Sequence, residues 1–469
     1  MKKYIGDKKF YMAVLAIIVP VIIQNGISNF VSLLDNLMVG AVGQDYMNGV
    51  SISNQLVFVY NLFIFGGVSS ATIYAAQFYG AKNQSGVRSC FRFALIVAFV
   101  LTAIAITLIT TCKETLLGLY ITPENTEEGL MHAEATLRAG IDYIDVMMLG
   151  LPAFALTTVY AGIERVTGET KLPMVASIVS VLTNLFFNWV FIFGHFGISA
   201  MNAKGAAIAT VIARYVELGI MVIVSHRRTH EYENYGFLDG VYSSLAIPLP
   251  LTKKLMVSGL PLVLNEGLWS LGMTVLVQQY SQRGLDVVAA LNINSTLANI
   301  FNIFFISMGT ACSVMVGQAL GANEIEEAKD TVNKLIAFQL FICVSFGLLM
   351  FVCSPLLPKV FIKATPIAKE IASDLIKVNA CVMPINGFAH CAYFILRSGG
   401  KTLITFLFDS CYTWVVPVPL ALLLASHTSM YIIPMFAIVS FAEIIKDVIG
   451  YIMLKKGLWI HNIVVQEES

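Results

Sequence analysis

Charged residues are scarce in this chain. Only 12% of its 469 residues are Asp, Glu, Lys or Arg, and the 29 acidic and 29 basic side chains cancel. Soluble domains carry about 25% charged residues, so this surface cannot lie mostly in water. The zero balance selects no partner, and nucleic acid is not expected as one. Cysteine occurs eight times without a C-x-x-C pair, and isolated cysteines inside apolar stretches read as small buried hydrophobes. No His, Cys and carboxylate group has metal-ligand spacing, so no metal centre is expected. A G-x-x-x-x-G-K-[ST] loop is missing, which excludes ATP as an energy source within the chain. No hydrolase nucleophile motif is present either, and the chain reads as a non-enzyme without a cofactor.

What is abundant is apolar sequence: 57% of residues are hydrophobic and the mean hydropathy is +0.77. Stretches of about 20 residues with almost no charge recur, long enough to cross a ~30 Å hydrocarbon core. Twelve spans are predicted: 14–38, 50–74, 91–112, 140–162, 172–194, 205–225, 254–279, 288–312, 334–354, 376–396, 402–425 and 431–454. Each is expected to be helical, because lipid leaves an exposed backbone no other way to satisfy its polar groups. The first span is too long for a cleaved signal peptide, and no small-residue cleavage site follows it. Lys and Arg are biased to one side: with the N-terminus inside, 19 fall in inner segments and eight in outer ones. That bias predicts a cell-membrane protein with both termini in the cytoplasm.

The two halves repeat each other. Val19-Pro20-Val21-Ile22-Ile23-Gln24-Asn25-Gly26 matches Leu260-Pro261-Leu262-Val263-Leu264-Asn265-Glu266-Gly267 at an offset of 241. The same offset places Asn61 on Asn302, Gln77 on Gln318 and Gly80 on Gly321. Later it shortens to 232, where Arg165-x-x-Gly168-x-Thr170 meets Arg397-x-x-Gly400-x-Thr402. Tandem membrane units usually mean a transporter, and six spans per unit make the repeats parallel. The halves are 1–225 and 253–469, with 226–252 as an inner linker polar enough to let them rock.

Polar residues recur at helical spacing inside the spans. Span 1 carries Asn25, Ser28, Asn29, Ser32, Asp35 and Asn36; span 5 carries Ser177, Ser180, Asn184 and Asn188. Span 7 has Glu266, Ser270, Met273 and Gln278, and span 8 has Asn292, Ser295, Asn299 and Asn302. Span 10 offers Asn379, Asn386, His390 and Tyr393, and span 11 offers Thr405, Asp409 and Thr413. Any one amide or hydroxyl serves equally well as helix-to-helix glue. Stripes in both halves are better explained by a central cavity.

Asp35, Glu266 and Asp409 stand within apolar spans. A carboxylate there costs several kcal/mol unless it is protonated, paired or working. Such groups suit proton exchange, Na+ binding or attraction of a cationic substrate; the bland alternative is a carboxylate capped by neighbouring amides. Arg214 with Glu217, and Glu443 with Lys446 and Asp447, have the spacing of intrahelical ion pairs. They read as mainly structural. Pro20 withholds a backbone donor and permits a bend in span 1, as a moving hinge or as a fixed kink. Trp269, Met273, Phe304, Phe305 and Tyr280 are candidates for adaptable apolar and cation–π walls.

At these residues the chain resembles a family, the multidrug and toxic compound extrusion transporters. Asp35-Asn36-Leu37-Met38-Val39-Gly40 is similar to its first-span motif. Ala76-Gln77-Phe78-Tyr79-Gly80-Ala81 and Gly317-Gln318-Ala319-Leu320-Gly321-Ala322 resemble its paired inner-loop motifs. The stretch from Arg165 to Met174 resembles its loop between spans 4 and 5, and Gly205 to Thr210 its start of span 6. The resemblance implies an all-α polytopic membrane protein, two six-helix lobes forming a V-shaped pseudo-two-fold bundle. It implies export of organic, mostly cationic and amphipathic compounds in exchange for H+ or Na+; the chain is expected to act as a monomer in membrane lipid.

Asp35 maps onto the family's coupling carboxylate, with Asn184 and Asn188 sharing that pocket and Na+ a possible occupant. Asn188 departs from the Asp that many prokaryotic members carry there. Glu266 lies where other members carry a C-lobe acid. A cavity of Glu266, Asp409, Asn302, Trp269, Met273 and His390 would then receive the substrate. A lipid-linked oligosaccharide flippase of the same superfamily is the alternative, although it needs cationic residues for a pyrophosphate. A sensor or channel is the third.

Overall fold

The computed structural model describes residues 4–121, 126–361 and 364–464, leaving aside the side chains at 31–33, 36 and 37. Ser32 and Asn36 of the first stripe lie outside the described side chains. The described residues form helices and turns and no strand. Helices α1 (Lys8–Gly40), α2 (Gln44–Gly80) and α3 (Gln84–Gly118) come first. α4 (Glu127–Met147) runs through a 3-10 turn into α5 (Leu151–Val166), and α6 (Lys171–Phe193) and α7 (Asn202–Arg227) follow. The second series is α8 (Leu249–Ser281), α9 (Leu285–Gly321), α10 (Ile325–Cys353) and α11 (Pro366–Ser398). It continues through the short α12 (Thr402–Phe406), α13 (Tyr412–Val415), α14 (Pro417–His427), α15 (Ile432–Phe441) and α16 (Glu443–Lys455).

Eleven helical stretches among the described residues are long and apolar enough to cross a membrane. The predicted twelfth span, 431–454, is broken at Ala442 into α15 and α16, each too short by itself. Helix ends follow local chemistry. Thr365 Oγ1 accepts from Ala368 N at 3.1 Å ahead of Pro366, so α11 starts with a capped turn and a residue that lacks a donor. Pro20, Pro261 and Pro384 lie inside α1, α8 and α11.

The repeated motifs adopt matching geometry. Gly168 and Gly400 both have left-handed φ, +93° and +73°, just past helices ending at Arg165-Val166 and Arg397-Ser398. In each case the glycine N–H bonds the arginine carbonyl, at 3.2 and 2.9 Å. Only glycine enters that region cheaply, which is why the R-x-x-G pattern is a helix stop. Lys82 and Asn323, also related by the offset of 241, share a positive φ of 57° and 61°.

The helices pack as two compact units. Unit 1 comprises Met1–Val19, Ala76–Asn83 and Met256–Ser469; unit 2 comprises Pro20–Ala75 and Gln84–Leu255. Unit 1 has a core of Leu276, Tyr280, Leu375, Ile376, Val418 and Met435 among others. In unit 2, α6 and α7 approach so closely that a Cβ on Gly205 would stand 2.7 Å from the Phe191 carbonyl. Small residues allow such packing where apolar burial gives no drive within lipid.

The linker 226–252, polar enough by composition to let the halves rock, packs within unit 2. Tyr235, Phe237, Leu238 and Val241 are buried. Gln84, Arg88 and Arg92, spaced along one face of α3, donate to linker carbonyls: Gln84 to Glu233 (3.1 Å), Arg88 to Phe237 (3.2 Å) and Arg92 to Val241 (2.8 Å) and Gly240 (2.9 Å).

Candidate functional site

In unit 2, α1, α6 and α7 bring a directed chain of polar groups to Asp35. Asn188 Nδ2 donates to Asp35 Oδ1 at 2.5 Å and to Asn184 Oδ1 at 3.0 Å. Asn184 Nδ2 donates in turn to Thr210 Oγ1 at 3.1 Å, and Thr210 donates to the Ala206 carbonyl at 3.0 Å. The residues at 184 and 188 are one turn apart on α6, so their amides stack along one face. Asn188 is fully buried, yet its Oδ1 has no hydrogen-bond partner among the described residues. A buried acceptor left open costs about 1–3 kcal/mol, so this oxygen is suited to a cation or water beside Asp35. Arg214 on α7 lies within electrostatic reach of Asp35. It also pairs with Glu217 at 3.5 Å, as its spacing predicts, and its guanidinium sits 4.9 Å above the Phe154 ring. Thr210 and Arg214 line a small cleft of about 270 Å³ with Asn61, whose Oδ1 is likewise buried and open.

Unit 1 holds a different arrangement. α12 and α13 are joined by a π-helical turn over Leu407–Cys411 that carries Asp409. Such turns insert an extra residue and often mark functional sites. Asp409 Oδ1 meets Lys446 Nζ at 2.7 Å, and Asp409 Oδ2 accepts from Asn265 Nδ2 at 3.0 Å. Asn265 Nδ2 also reaches Tyr393 OH at 3.2 Å, and Arg397 donates to the same hydroxyl at 3.3 Å. Ser410 Oγ completes the knot on the Asn265 carbonyl at 2.7 Å. Glu443 stands 3.8 Å from Lys446. Glu266, next to Asn265 on α8, lies within electrostatic reach of Arg397 and Asp409.

Residues 20–190 and 261–423 match the family model MatE, which covers most of the chain. The chain belongs to the MatE family. A probable multidrug resistance protein NorM of Thermotoga maritima is 21% identical over 449 residues, spanning 96% of this chain and 93% of that protein. A probable multidrug resistance protein YoeA of Bacillus subtilis is 25% identical over 417 residues, spanning 89% and 87%. Among solved structures, a variant of the Vibrio cholerae MATE transporter VcmN superposes with a TM-score of 0.83 at 17% identity, covering 97% of this chain and 99% of that one. That likeness shows the fold, a pseudo-two-fold membrane bundle.

Within this MatE chain, the structure brings Asp35, Asn184 and Asn188 together and adds Thr210. The hydroxyl of Thr210 was legible only as part of a start-of-span motif. Lys446 departs from its expected intrahelical role: it is closer to Asp409 than to Glu443, because α16 points it into unit 1 toward the π-helical turn. His390 lies between the rings of Phe305 (6.4 Å) and Phe394 (4.9 Å), with Nε2 buried and open. Trp269 and Met273, one turn apart on α8, are exposed, and Asn302 on α9 is half-buried. Among the described residues these three take no part in the Asp409 network. Asn294, which the span 8 stripe did not include, accepts from Asn379 at 2.7 Å. Ser180 of the span 5 stripe bonds the Ala213 carbonyl at 2.9 Å and serves as helix-to-helix glue.

Proposed function

We propose that this chain is a secondary-active multidrug exporter that moves organic, mostly cationic and amphipathic compounds against inward H+ or Na+ by alternating access. Asp35 takes the coupling ion, and Asn188, Asn184 and Thr210 orient around it. The observation that supports this most is the open Oδ1 of buried Asn188 beside a carboxylate already holding one amide donor. A proton or Na+ arriving there meets preset oxygen ligands without a competing fixed cation in hydrogen-bond contact with Asp35 among the described residues. Pro20 serves as the hinge of α1, where the missing backbone donor lets the helix bend as the ion comes and goes.

Substrate is received near Glu266, whose charge attracts a cation, with Trp269, Met273, Asn302 and His390 offering adaptable walls. Asp409 contributes less free charge than its isolated position in span 11 suggests, because Lys446 answers it. The protein works as a monomer in the cell membrane, with both termini cytoplasmic and lobes 1–225 and 253–469 joined by 226–252. The test is efflux of a fluorescent organic cation from proteoliposomes under an imposed pH or Na+ gradient. Wild type is expected to respond to one gradient and Asp35→Asn to neither. Equal coupling in both proteins would sink the assignment of Asp35.

A further inference from the structure

Unit 1 carries a groove apart from the residues assigned above. It lies between Leu340 on α10, Pro384 and Phe388 on α11, and Asp447, Val448 and Tyr451 on α16, with an empty volume of about 750 Å³. Its walls are apolar or aromatic, and among the described residues Asp447 is the one charged residue lining it. α16 turns Lys446 and Gly450 toward the core of unit 1, while Val448 and Tyr451 on the groove side are 54% and 57% exposed. Asp447 lies eight residues before Lys455, about 12 Å along the helix. With Lys455 at the membrane surface, as the Lys and Arg bias predicts, the groove opens at hydrocarbon depth rather than among headgroups.

A carboxylate at that depth requires a partner. Lys446, the next residue, is directed to Asp409 at 2.7 Å and stands 3.8 Å from Glu443. Three carboxylates thus share one ammonium here, and Asp447 is the outermost. Its Oδ1 is buried and has no hydrogen-bond partner among the described residues. Anionic head-site, aromatic edge and apolar length together fit one chemistry.

We propose that this groove binds an amphipathic organic ammonium ion entering sideways from the bilayer, its head on Asp447 and its tail along Phe388, Val448 and Tyr451. A cation there answers one of the two carboxylate charges that Lys446 leaves unbalanced in the Asp409, Glu443 and Asp447 group. An aromatic wall adds cation–π attraction, which is stronger when water is excluded. The site does not depend on Asp35 or on ion coupling.

The test is photolabelling of the full chain in phosphatidylcholine nanodiscs with a benzophenone-bearing alkyltrimethylammonium, read by mass spectrometry of α11 and α16 peptides. Asp447→Asn is expected to cut labelling of those peptides about tenfold, the worth of a single strong contact, and Asp447→Glu to restore it. The uncharged tert-butyl isostere of the probe is expected to label them weakly. Asp35→Asn is expected to leave labelling unchanged, which separates this site from the transport reading. Equal labelling by the isostere, or indifference to Asp447→Asn, would overturn the proposal. Abolition by added phosphatidylethanolamine would assign the groove to a lipid headgroup and overturn it as well. If Asp447→Asn does not fold, Val448→Trp fills the groove while keeping the carboxylate; undiminished labelling of that variant also refutes the site.

Discussion

Gly321, the last residue of α9, packs directly on the carbonyl of Gln77 near the end of α2, so that a Cβ at 321 would run into that oxygen. The relation is reciprocal: a Cβ on Gly80 would run into the carbonyl of Gln318. Each glycine meets the glutamine of the other repeat, and the segment Ala76–Asn83 belongs to unit 1 for this reason among others. Gln77 is fully buried and donates to the Ser398 and His461 carbonyls at 2.9 and 3.1 Å while accepting from Ile463 N at 2.8 Å. Backbone on the opposing side cannot rotate away as a side chain would. Gly80→Ala and Gly321→Ala are each expected to destabilise the folded protein by about 1–3 kcal/mol through overpacking. Thermal unfolding in detergent micelles checks this; unchanged melting in both variants would show that the crossing has slack.

The Lys446–Asp409 pair gives a second prediction. Its side chains are 10% and 16% exposed, so removing Lys446 strands Asp409 in a poorly solvated place, whereas removing Asp409 still leaves Lys446 with Glu443 at 3.8 Å. Lys446→Met is expected to cost about 3–5 kcal/mol and Asp409→Asn less, whereas adding Asp409→Asn to Lys446→Met recovers much of the loss. Recovery is the diagnostic, because it distinguishes an ion pair from two independently packed side chains. A double variant as unstable as the sum of the singles would rule out the pairing as the source.

A third prediction follows from the order of groups running to Asp35. Asn188 donates directly to the carboxylate, whereas Thr210 acts three hydrogen bonds away, through Asn184 and Asn188. Losing a hydrogen bond to a charged group costs about 1.5–3 kcal/mol and a neutral one about 1. Asn188→Ala should therefore slow ion-driven efflux at least about tenfold and Thr210→Val only about fivefold. Proteoliposome rates under a fixed gradient measure both. The reverse ranking would place the ion nearer Thr210 than Asp35.

Much of this was legible in the chain because lipid narrows the choices. Apolar runs of spanning length must be helices, and R-x-x-G-x-T at 165 and 397 marks two helix stops whose glycines do take left-handed φ. Asn184 and Asn188 were readable because a four-residue step puts them on one face whatever the helix packs against. Lys446 was not, since its three-residue spacing from Glu443 satisfies a local pairing rule as well as a distant one. Only the inward turn of α16 and the π-helical turn at 407–411 decide for Asp409, and neither leaves a periodic signal. The packing of the linker was hidden for a related reason. Its composition is polar, but its anchors are a few aromatic residues and three side chains on α3 almost 150 residues earlier.

Those anchors supply the last prediction. Phe237 is fully buried, its ring 5.4 Å from that of Phe91; Arg88 holds its carbonyl and Arg92 the backbone beyond it at Gly240 and Val241. Trypsin sites at Arg227 and Arg228 adjoin this segment, so cleavage there reports how often it lifts from unit 2. Phe237→Ala removes about 3 kcal/mol of packing, and where opening is fast relative to cleavage the rate tracks the open population. Cleavage is then expected to rise about 100-fold, with Phe237→Leu close to wild type. Arg92→Ala should give a smaller rise, because its bonds to Val241 and Gly240 are solvent-accessible and partly replaced by water. A Phe237→Ala protein cut no faster than wild type would mean that the linker is held by something other than this aromatic contact.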